Sequence, residues 1–314
     1  MLVNKLLSIT PKHFVKYVCA SKFCTDPSQD VINMAFASYE STLTYPVDPP
    51  TPLVVMHGLL GSKANWNSLC KAFHRHTNPK RKIIAVDARN HGDSPHCNSH
   101  TYPHLAEDIK LLYAQQKIKR SCLLGHSMGG RAMMYFALKY PNFVDKLIIG
   151  DVSPITSSPN LRSMPTLFSA IQKVQLPSHI PMSSARLNAD IQLAKNISDR
   201  GLRAFLLTNL IQKTDGSFMW RVNIPALLSN FYDHIASFPI PAECKFTGPV
   251  LFVAGGVSDF IQKTDHSQIL NLFPNAEFQV IEGAGHWLHS EKPNEFLQIC
   301  IEFLNRNTVA NEKK

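Results

Sequence analysis

The sequence lacks several patterns that define other classes of protein. No apolar run approaches the roughly 18 residues that a membrane-spanning helix needs, so we expect a protein that does not span a membrane. The 7 cysteines contain no C-x-x-C pair and the 14 histidines contain no H-E-x-x-H motif, which argues against a metal site. An odd number of widely spaced cysteines argues against a disulfide framework and favours a reducing compartment. We expect no metal and no cofactor.

Carboxylates are absent from the first 25 residues, which contain four lysines interleaved with apolar side chains. This interleaving is typical of an amphipathic helix. A basic, amphipathic, serine-containing stretch is in turn typical of a mitochondrial transit peptide, although lysine here takes the place of the usual arginine. The alternative is a solvated chain terminus. Residues 1–30 are therefore predicted to be a basic N-terminal segment that directs the protein to the mitochondrial matrix, with a cytoplasmic location as the alternative.

The rest of the chain has an ordinary globular composition. Of the net charge of +9, the first 25 residues contribute +4, and the remaining net charge of +5 is scattered over the rest of the chain. No nucleic-acid-binding motif accompanies the scattered charges, so we expect no nucleic-acid partner. Apolar residues make up 44% of the chain and charged residues 18%, which excludes wholesale disorder.

Short apolar runs alternate with helical patterns over most of the chain. The runs predict six buried strands, at Leu53–His57, Ile83–Asp87, Ser121–Gly125, Lys146–Asp151, Val250–Ala254 and Phe278–Ile281. Such strands separated by helices indicate an α/β fold, a mostly parallel sheet with helices on both faces. We assign this core to residues 31–151 and 249–308, with a short strand pair at 33–44. Ligands of such sheets bind beyond the carboxyl ends of the strands.

One connection is too long for a simple crossover. The 97 residues between Asp151 and Pro249 far exceed the dozen or so that a crossover needs. Helical patterns at about 183–197, 201–210 and 226–236 predict an inserted helical lid, residues 152–248, over the strand ends. Its apolar side chains either line a ligand site or pack the lid itself; they include Met164, Leu167, Phe168, Leu206, Leu207, Phe218 and Trp220.

Residues 125–129 read Gly-His-Ser-Met-Gly and match the pattern G-x-S-x-G between a predicted strand and a predicted helix. In that context the two glycines permit a tight turn that lifts the hydroxyl of Ser127 into a cleft. The amino terminus of the following helix provides backbone N–H groups beside it. Ser127 is therefore the candidate nucleophile, and the alternative is a solvated serine in a glycine-rich turn.

A serine nucleophile needs a general base, and His286, just beyond the last predicted strand, is the candidate. His289 lies nearby and is assigned to the first turn of the final helix. Two carboxylates are placed to orient the imidazole. Asp151 ends the strand beside the nucleophile strand, and Asp259 follows the next-to-last strand. An orienting carboxylate is buried and fixed, which favours Asp151, at the rim of the core, over Asp259 in a looser loop.

An oxyanion intermediate needs hydrogen-bond donors, and backbone N–H groups supply them in acyl transfer. One donor is expected from the backbone of Met128, directly after the candidate nucleophile. The other is expected from Leu59 in the loop His57-Gly58-Leu59-Leu60-Gly61, where glycine lets the backbone turn an N–H group inward.

These motifs resemble the α/β-hydrolase superfamily and, within it, a group of esterases with bacterial members. The resemblance covers about residues 35–305 and rests on His57-Gly58, the loop 87–94, the turn at Ser127 and Gly285-His286. It implies an α/β-hydrolase fold and a serine esterase or lipase, with diacylglycerol among the substrates. It also implies a mitochondrial location and an association with the 2-oxoglutarate dehydrogenase complex.

In the usual pattern of the superfamily the acid of the triad would lie at the position of Ser258, one residue before Asp259. In the bacterial relatives the acid follows the strand after the nucleophile helix, which matches Asp151. The prediction is a carboxylic ester hydrolase that cleaves a small-molecule acyl ester or lipid through an acyl-enzyme, with Ser127, His286 and Asp151 as its triad. One alternative is a thioesterase or acyltransferase that uses the same triad. The other is a non-catalytic protein that protects a partner enzyme complex.

Overall fold

The computed structural model describes residues 14–18, 31–41, 49–242 and 244–306. Eight strands form one sheet in the order β1-β2-β4-β3-β5-β6-β9-β10. They are β1 (Phe14–Val18), β2 (Phe36–Glu40), β3 (Leu53–Met56), β4 (Ile83–Val86), β5 (Ser121–His126), β6 (Val144–Gly150), β9 (Val250–Gly255) and β10 (Ala276–Ile281). The first two strands are antiparallel to their neighbours and the other six are parallel, so the predicted mostly parallel sheet is confirmed.

Helices cover both faces of the sheet, as predicted. They are α1 (Asn67–His76), α2 (Tyr102–Gln116), α3 (Met128–Lys139), α8 (His266–Leu272), α9 (Leu288–Glu291) and α10 (Pro293–Asn305). Successive residues of β3 face opposite layers, because side chains alternate along a strand. Val54 belongs to the core under α2 and α3, and Val55 to the core under α1 and α10. In the described ranges no helix combines the length and apolar character that crossing a bilayer requires.

The N-terminal part differs from expectation where it is described. Residues 14–18, expected to belong to an amphipathic helix, form β1 and pair with β2. Their sequence, Phe-Val-Lys-Tyr-Val, is rich in the β-branched and aromatic residues that favour strands. The rest of the predicted targeting segment, residues 1–13 and 19–30, lies outside the described residues. Of the strand pair expected at 33–44, the structure contains β2, and residues 42–48 are not described.

The insertion between β6 and β9 is built, where it is described, from four α-helices and one short hairpin. Its elements are α4 (Met164–Gln172), α5 (Met182–Leu193), α6 (Arg200–Leu207), β7 (Leu210–Gln212), β8 (Phe218–Trp220) and α7 (Ile224–Ser229). The sequence prediction missed α4, although Pro165 stands in the first turn of that helix, where proline is tolerated. It also missed the hairpin, whose turn uses Gly216 at a φ of 79°.

Both ends of the lid are joined to α3 by one buried arginine. The guanidinium of Arg131, which is 3% exposed, donates to the carbonyl oxygens of Ser153 and Thr156 at the start of the lid. It also donates to the carbonyl oxygen of Ala236, near the end of the lid, at 2.7 Å. Hydrogen bonds from a charged donor are stronger than those between neutral groups, so they hold both segments of the lid against α3.

Candidate active site

Ser127 lies in the sharp turn between β5 and α3. Its φ of 54° falls in a region that residues with a Cβ rarely adopt, so the turn is strained. Glycine is required on both sides of it. A Cβ on Gly125 would collide with the backbone of Gly129, and a Cβ on Gly129 would collide with the carbonyl oxygen of His57. The sequence pattern therefore forms the predicted strand–turn–helix element, with the serine hydroxyl at the carboxyl edge of the sheet.

The structure brings Ser127, His286 and Asp151 into one hydrogen-bonded chain. Nε2 of His286 lies 3.0 Å from Oγ of Ser127, and Nδ1 of His286 lies 2.8 Å from Oδ2 of Asp151. A carboxylate only accepts, so Nδ1–H donates to Asp151 and Nε2 of the neutral ring accepts from the serine hydroxyl. The register explains part of this closeness, because His126 pairs with Gly150 and the next residues leave the sheet side by side.

Asp151 is fully buried and its carboxylate is held at both oxygens. Oδ1 accepts from the backbone N–H of Gly255 at 3.0 Å, while Oδ2 accepts from the hydroxyl of Ser258 as well as from His286. Ser258, at the position where the superfamily usually has its acid, is thus a hydrogen-bond donor to the acid on the neighbouring strand. Sequence reasoning noted Ser258 as a departure from the pattern but did not assign it this contact.

The carboxylate of Asp259 contacts the lid and not His286. Its Oδ1 accepts from the hydroxyl of Ser158 at 2.6 Å, and both carboxylate oxygens accept from the side-chain amide of Asn160 at 3.2 Å. Both partners belong to the first part of the lid. The structure therefore brings Asp151, and not Asp259, to the imidazole of His286.

Of the two expected oxyanion donors, Leu59 lines the same cavity as Ser127, and Met128 follows Ser127 in the chain. In the part of the chain that the structure describes, the backbone N–H groups of Leu59 and Met128 have no hydrogen-bond partner. The N–H group of Leu60, in contrast, donates to Nε2 of His91. The ring of His57 shapes this loop, because Nδ1–H donates to the carbonyl oxygen of Gly58 and Nε2 accepts from a backbone N–H. One donor of the loop thus remains available at the site.

Two further side chains, Phe260 and His126, lie against the imidazole of His286 and were missed by sequence reasoning. His289, assigned from the sequence to the first turn of the final helix, lies instead in the short preceding helix α9. Phe260 stacks on the imidazole of His286 at a centroid distance of 3.6 Å. His126 donates from Nε2 to the carbonyl oxygen of His286 at 2.8 Å, and its ring lies 4.4 Å from that of His289. Burial lowers the pKa of His289 to about 3 and the pKa of His126 well below its ordinary value. Both rings are therefore neutral at pH 7 and place no positive charge beside His286.

A cavity of about 260 Å³ opens above Ser127 and His286 and is roofed by the lid. Its walls are mainly apolar, with Leu161, Met164, Leu167, Leu202, Phe205, Phe260 and Trp287 among them. Of the apolar lid residues that the sequence suggested, Met164 and Leu167 line this cavity. Phe168 and Leu206 are buried in the main core instead. Leu207, Phe218 and Trp220 pack against a smaller apolar cluster within the lid.

The site can transfer an acyl group, because it combines a nucleophile, a base, an orienting carboxylate and paired N–H donors in an apolar cavity. This set of groups on an α/β sheet defines a class of hydrolases. The sequence model of the family described as alpha/beta hydrolase fold matches residues 51–293, and the chain belongs to this family. Several of its relatives bear the names of ester hydrolases, and one, of Eremothecium cymbalariae, is named an ethanol acetyltransferase. The sn-1-specific diacylglycerol lipase ABHD11 of Mus musculus is 41% identical over 252 residues, covering 80% of this chain and 80% of the relative.

The second relative is bacterial. Esterase YbfF of Escherichia coli (strain K12) is 34% identical over 256 residues, which cover 81% of this chain and 93% of the relative. The solved structure of a marine microorganism esterase superposes with a TM-score of 0.76 at 32% identity, covering 87% of this chain and 99% of its own. The resemblance to alpha/beta hydrolase domain-containing protein 11 and to bacterial esterases is thus confirmed, and the protein is a carboxylic ester hydrolase.

Proposed function

We propose that the protein hydrolyses acyl esters of lipids through a Ser-His-Asp triad and an acyl-enzyme. The observation that carries this proposal is the unbroken hydrogen-bonded chain from Ser127 through His286 to Asp151. His286 takes the proton of the serine hydroxyl as Ser127 attacks the ester carbonyl carbon. The N–H groups of Leu59 and Met128 stabilise the oxyanion. The tetrahedral intermediate then expels the alcohol, which receives its proton from His286.

The second half of the reaction regenerates the serine. Water enters the place of the alcohol, gives a proton to His286 and attacks the acyl carbonyl. His286 then returns this proton to Oγ of Ser127 as the bond between the acyl carbon and Oγ breaks, and the carboxylic acid leaves. Asp151 stabilises the imidazolium that forms in each half. The apolar walls around Met164 and Leu167 suit the hydrocarbon chain of the acyl group. The name of the mouse relative, a diacylglycerol lipase, supports a glycerolipid as the substrate class.

The acyl-enzyme can be tested by intact-protein mass spectrometry. Rapid acid quenching of the protein with 4-nitrophenyl hexanoate is expected to reveal one added hexanoyl group on Ser127, located by peptide sequencing. Ser127→Ala is expected to carry none, because it lacks the nucleophile, and Ser184→Ala, at an exposed serine of α5, is the control that keeps it. A hexanoyl group on another residue, or ester turnover by Ser127→Ala, would contradict the proposal.

The same preparation separates the two alternative functions. A thioesterase would turn over a hexanoyl thioester faster than the matched oxygen ester, and an acyltransferase would pass the acyl group to an added alcohol in preference to water. If the protein only protects a partner complex, the Ser127→Ala variant would bind that complex as well as the unmodified protein does. Hydrolysis of the oxygen ester is the outcome that the apolar cavity and the named relatives support.

A mitochondrial location and an association with the 2-oxoglutarate dehydrogenase complex stay predictions. We expect a fluorescent fusion of the full chain to accumulate in mitochondria, because a basic segment without carboxylates is drawn across the inner membrane. A variant with glutamine at Lys5, Lys12, Lys16 and Lys22 is expected to stay in the cytosol. The control changes Lys71, Lys80, Lys82 and Lys110 instead. Equal import of both variants would contradict the prediction.

A further inference from the structure

The ring of His126 has one nitrogen atom that the protein does not use. Its Nε2–H donates to the carbonyl oxygen of His286, and burial lowers the pKa of the ring, which keeps it neutral. A neutral imidazole has a single N–H group, so Nδ1 carries a lone pair and can only accept. Among the described residues no group donates to this Nδ1. A polar atom in a side chain that is only 3% exposed is usually paired, so its free lone pair calls for an explanation.

The free nitrogen faces the catalytic cavity. His126 lines the cavity above Ser127, and Gly58 lines it as well. A Cβ on Gly58 would lie 2.9 Å from Nδ1 of His126 and 3.2 Å from Cβ of Ser127, so this glycine leaves a place open beside both groups. Unlike Nδ1 of His289, the nitrogen is not sealed from solvent. A hydrogen-bond acceptor is therefore within reach of a small molecule next to the nucleophile.

The place beside His286 holds different groups in the two halves of the reaction. In the first half it holds the leaving oxygen of the ester, which has no hydrogen until His286 protonates it. In the second half it holds the attacking water, which has two hydrogens and gives only one to His286. The ring centroids of His126 and His286 are 4.8 Å apart, close enough for one water molecule to donate to both rings. The second hydrogen of the water thus has an acceptor available.

We propose that Nδ1 of His126 accepts the second hydrogen of the water that attacks the acyl-enzyme, and that this bond makes the acyl-enzyme react with water in preference to alcohols. The inference rests on the proposed hydrolysis through an acyl-enzyme. It assigns His126 as a catalytic residue of the second half of the reaction and as the residue that keeps the protein a hydrolase.

The attacking water is held by both of its hydrogens. Its oxygen forms a bond to the acyl carbon while one hydrogen moves as a proton to Nε2 of His286, and the carbonyl oxygen becomes the oxyanion. The second hydrogen stays on the attacking oxygen and donates to His126. The proton on His286 returns to Oγ of Ser127 as the bond from Oγ to the carbon breaks. Because the attacking oxygen loses electron density in the transition state, its remaining hydrogen donates more strongly there than in the ground state, which accelerates the step.

An alcohol in the same place has one hydrogen where water has two. His286 takes that hydrogen, and either the alkyl group or a lone pair of the oxygen then faces Nδ1 of His126. Neither of them donates, so Nδ1 stays without a bond. Attack by water therefore gains one hydrogen bond that attack by an alcohol lacks, and we expect this bond to favour hydrolysis by about tenfold.

The choice between water and alcohol is measured as a ratio of products. Reaction of 4-nitrophenyl hexanoate in buffer with a fixed concentration of ethanol yields hexanoic acid and ethyl hexanoate, which gas chromatography quantifies. His126→Gln places an amide N–H near the position of Nε2, so it can still donate to His286, but it has no acceptor at the position of Nδ1. We expect its ratio of acid to ethyl ester to fall about tenfold below that of the unmodified protein.

His126→Asn is the matched variant. Its Oδ1 takes the position of Nδ1 and can accept, whereas the donor to the carbonyl oxygen of His286 is lost. We expect the product ratio to stay close to that of the unmodified protein, even where turnover is slower. If His126→Asn lowers the ratio as much as His126→Gln does, the contact with His286 is responsible and the inference is overturned. An unchanged ratio in His126→Gln overturns it as well.

A second pair of variants leaves His126 in place. Gly58→Ala adds a Cβ 2.9 Å from Nδ1, which closes the space from which water donates. Gly150→Ala adds a Cβ 3.5 Å from Cδ2 of the same ring, an ordinary contact at a different edge. We expect the product ratio to fall in the first variant and to stay unchanged in the second. Equal ratios in the two would contradict the inference even if substitutions at His126 unfold the protein.

Because the ratio compares two fates of one acyl-enzyme, general damage to acylation leaves it unchanged. The rapid release of 4-nitrophenolate before steady state is a separate check. We expect His126→Gln to slow deacylation about tenfold and acylation by less than about threefold. If the unmodified protein forms no acyl-enzyme, the proposed function fails. If it forms one and all variants give the same product ratio, only the role of His126 is refuted.

Discussion

Replacement of Asp151 with asparagine is expected to lower kcat for ester hydrolysis by about 10⁴-fold with little change in KM. The new side chain can still accept from the backbone N–H of Gly255, but its amide NH₂ then faces Nδ1 of His286. Two donors cannot pair, so the imidazole adopts the tautomer with its proton on Nε2. That proton points at Ser127, which loses its base. Steady-state kinetics with a soluble hexanoyl ester measures the loss, and circular dichroism checks that the fold is retained.

Asp259→Asn is the matched control for this prediction. The amide oxygen introduced there can still accept from Ser158 and Asn160, so we expect kcat to change less than about threefold, as for a substitution outside the reacting groups. If Asp259→Asn removes activity and Asp151→Asn does not, the assignment of the acid is wrong. Ser258→Ala provides an intermediate case, because Asp151 would lose one of its donors and retain the other two contacts.

A second large effect is expected on stability in mild acid. Five histidines around the site are buried, and burial lowers the pKa of each; they are His57 (to about 4), His91 and His289 (to about 3), and His100 and His126. An unfolded chain binds a proton at each of them below about pH 6.5, and the folded chain does not. The stability from these neutral rings is therefore complete above pH 6.5 and lost as the pH falls towards 4.

The size of this effect is comparable with the whole stability of a domain. Each such histidine removes up to about 1.4 kcal/mol per pH unit, and five remove up to about 7. Since domains are stable by only about 5–15 kcal/mol, we expect cooperative unfolding by about pH 5. Urea unfolding followed by tryptophan fluorescence at a series of pH values gives the slope.

Two single variants connect the slope to burial. His100→Gln is expected to reduce the slope by about 1.4 kcal/mol per pH unit, because one titrating group is removed from the folded interior. His76→Gln changes an exposed histidine and is expected to leave the slope as it is. A free energy of unfolding that stays constant between pH 7 and 5 would contradict the prediction.

The parts of the fold that could be predicted are those in which local sequence and tertiary packing agree. In helix α2 the apolar residues Leu105, Ile109 and Leu112 recur at helical spacing and are buried, and Thr101 is its N-cap. The strands β3 and β4 are short apolar runs that are buried on both faces. The meeting of Ser127, His286 and Asp151 was also predictable, because each follows a parallel strand and such strands end at one edge.

Other features depend on contacts that no local pattern contains. The strands β7 and β8 have three residues each, too few for a period of two to be recognised. The strand β1 exists through its pairing with β2, whereas its lysine and the surrounding composition favoured a helix. Ser258 meets Asp151 across 107 positions of sequence, and only the adjacency of β6 and β9 brings them together.

Arg131 restricts how the cleft can open. Its guanidinium joins the start of the lid, at Ser153 and Thr156, and a later part of it, at Ala236, to the helix that starts next to Ser127. The charged hydrogen bonds that do so are costly to break in a buried place. The lid therefore cannot rotate away as one rigid body about its two ends. Admission of a substrate requires bending inside the insertion, where α4 and α6 carry the Met164 and Phe205 side chains that line the cleft.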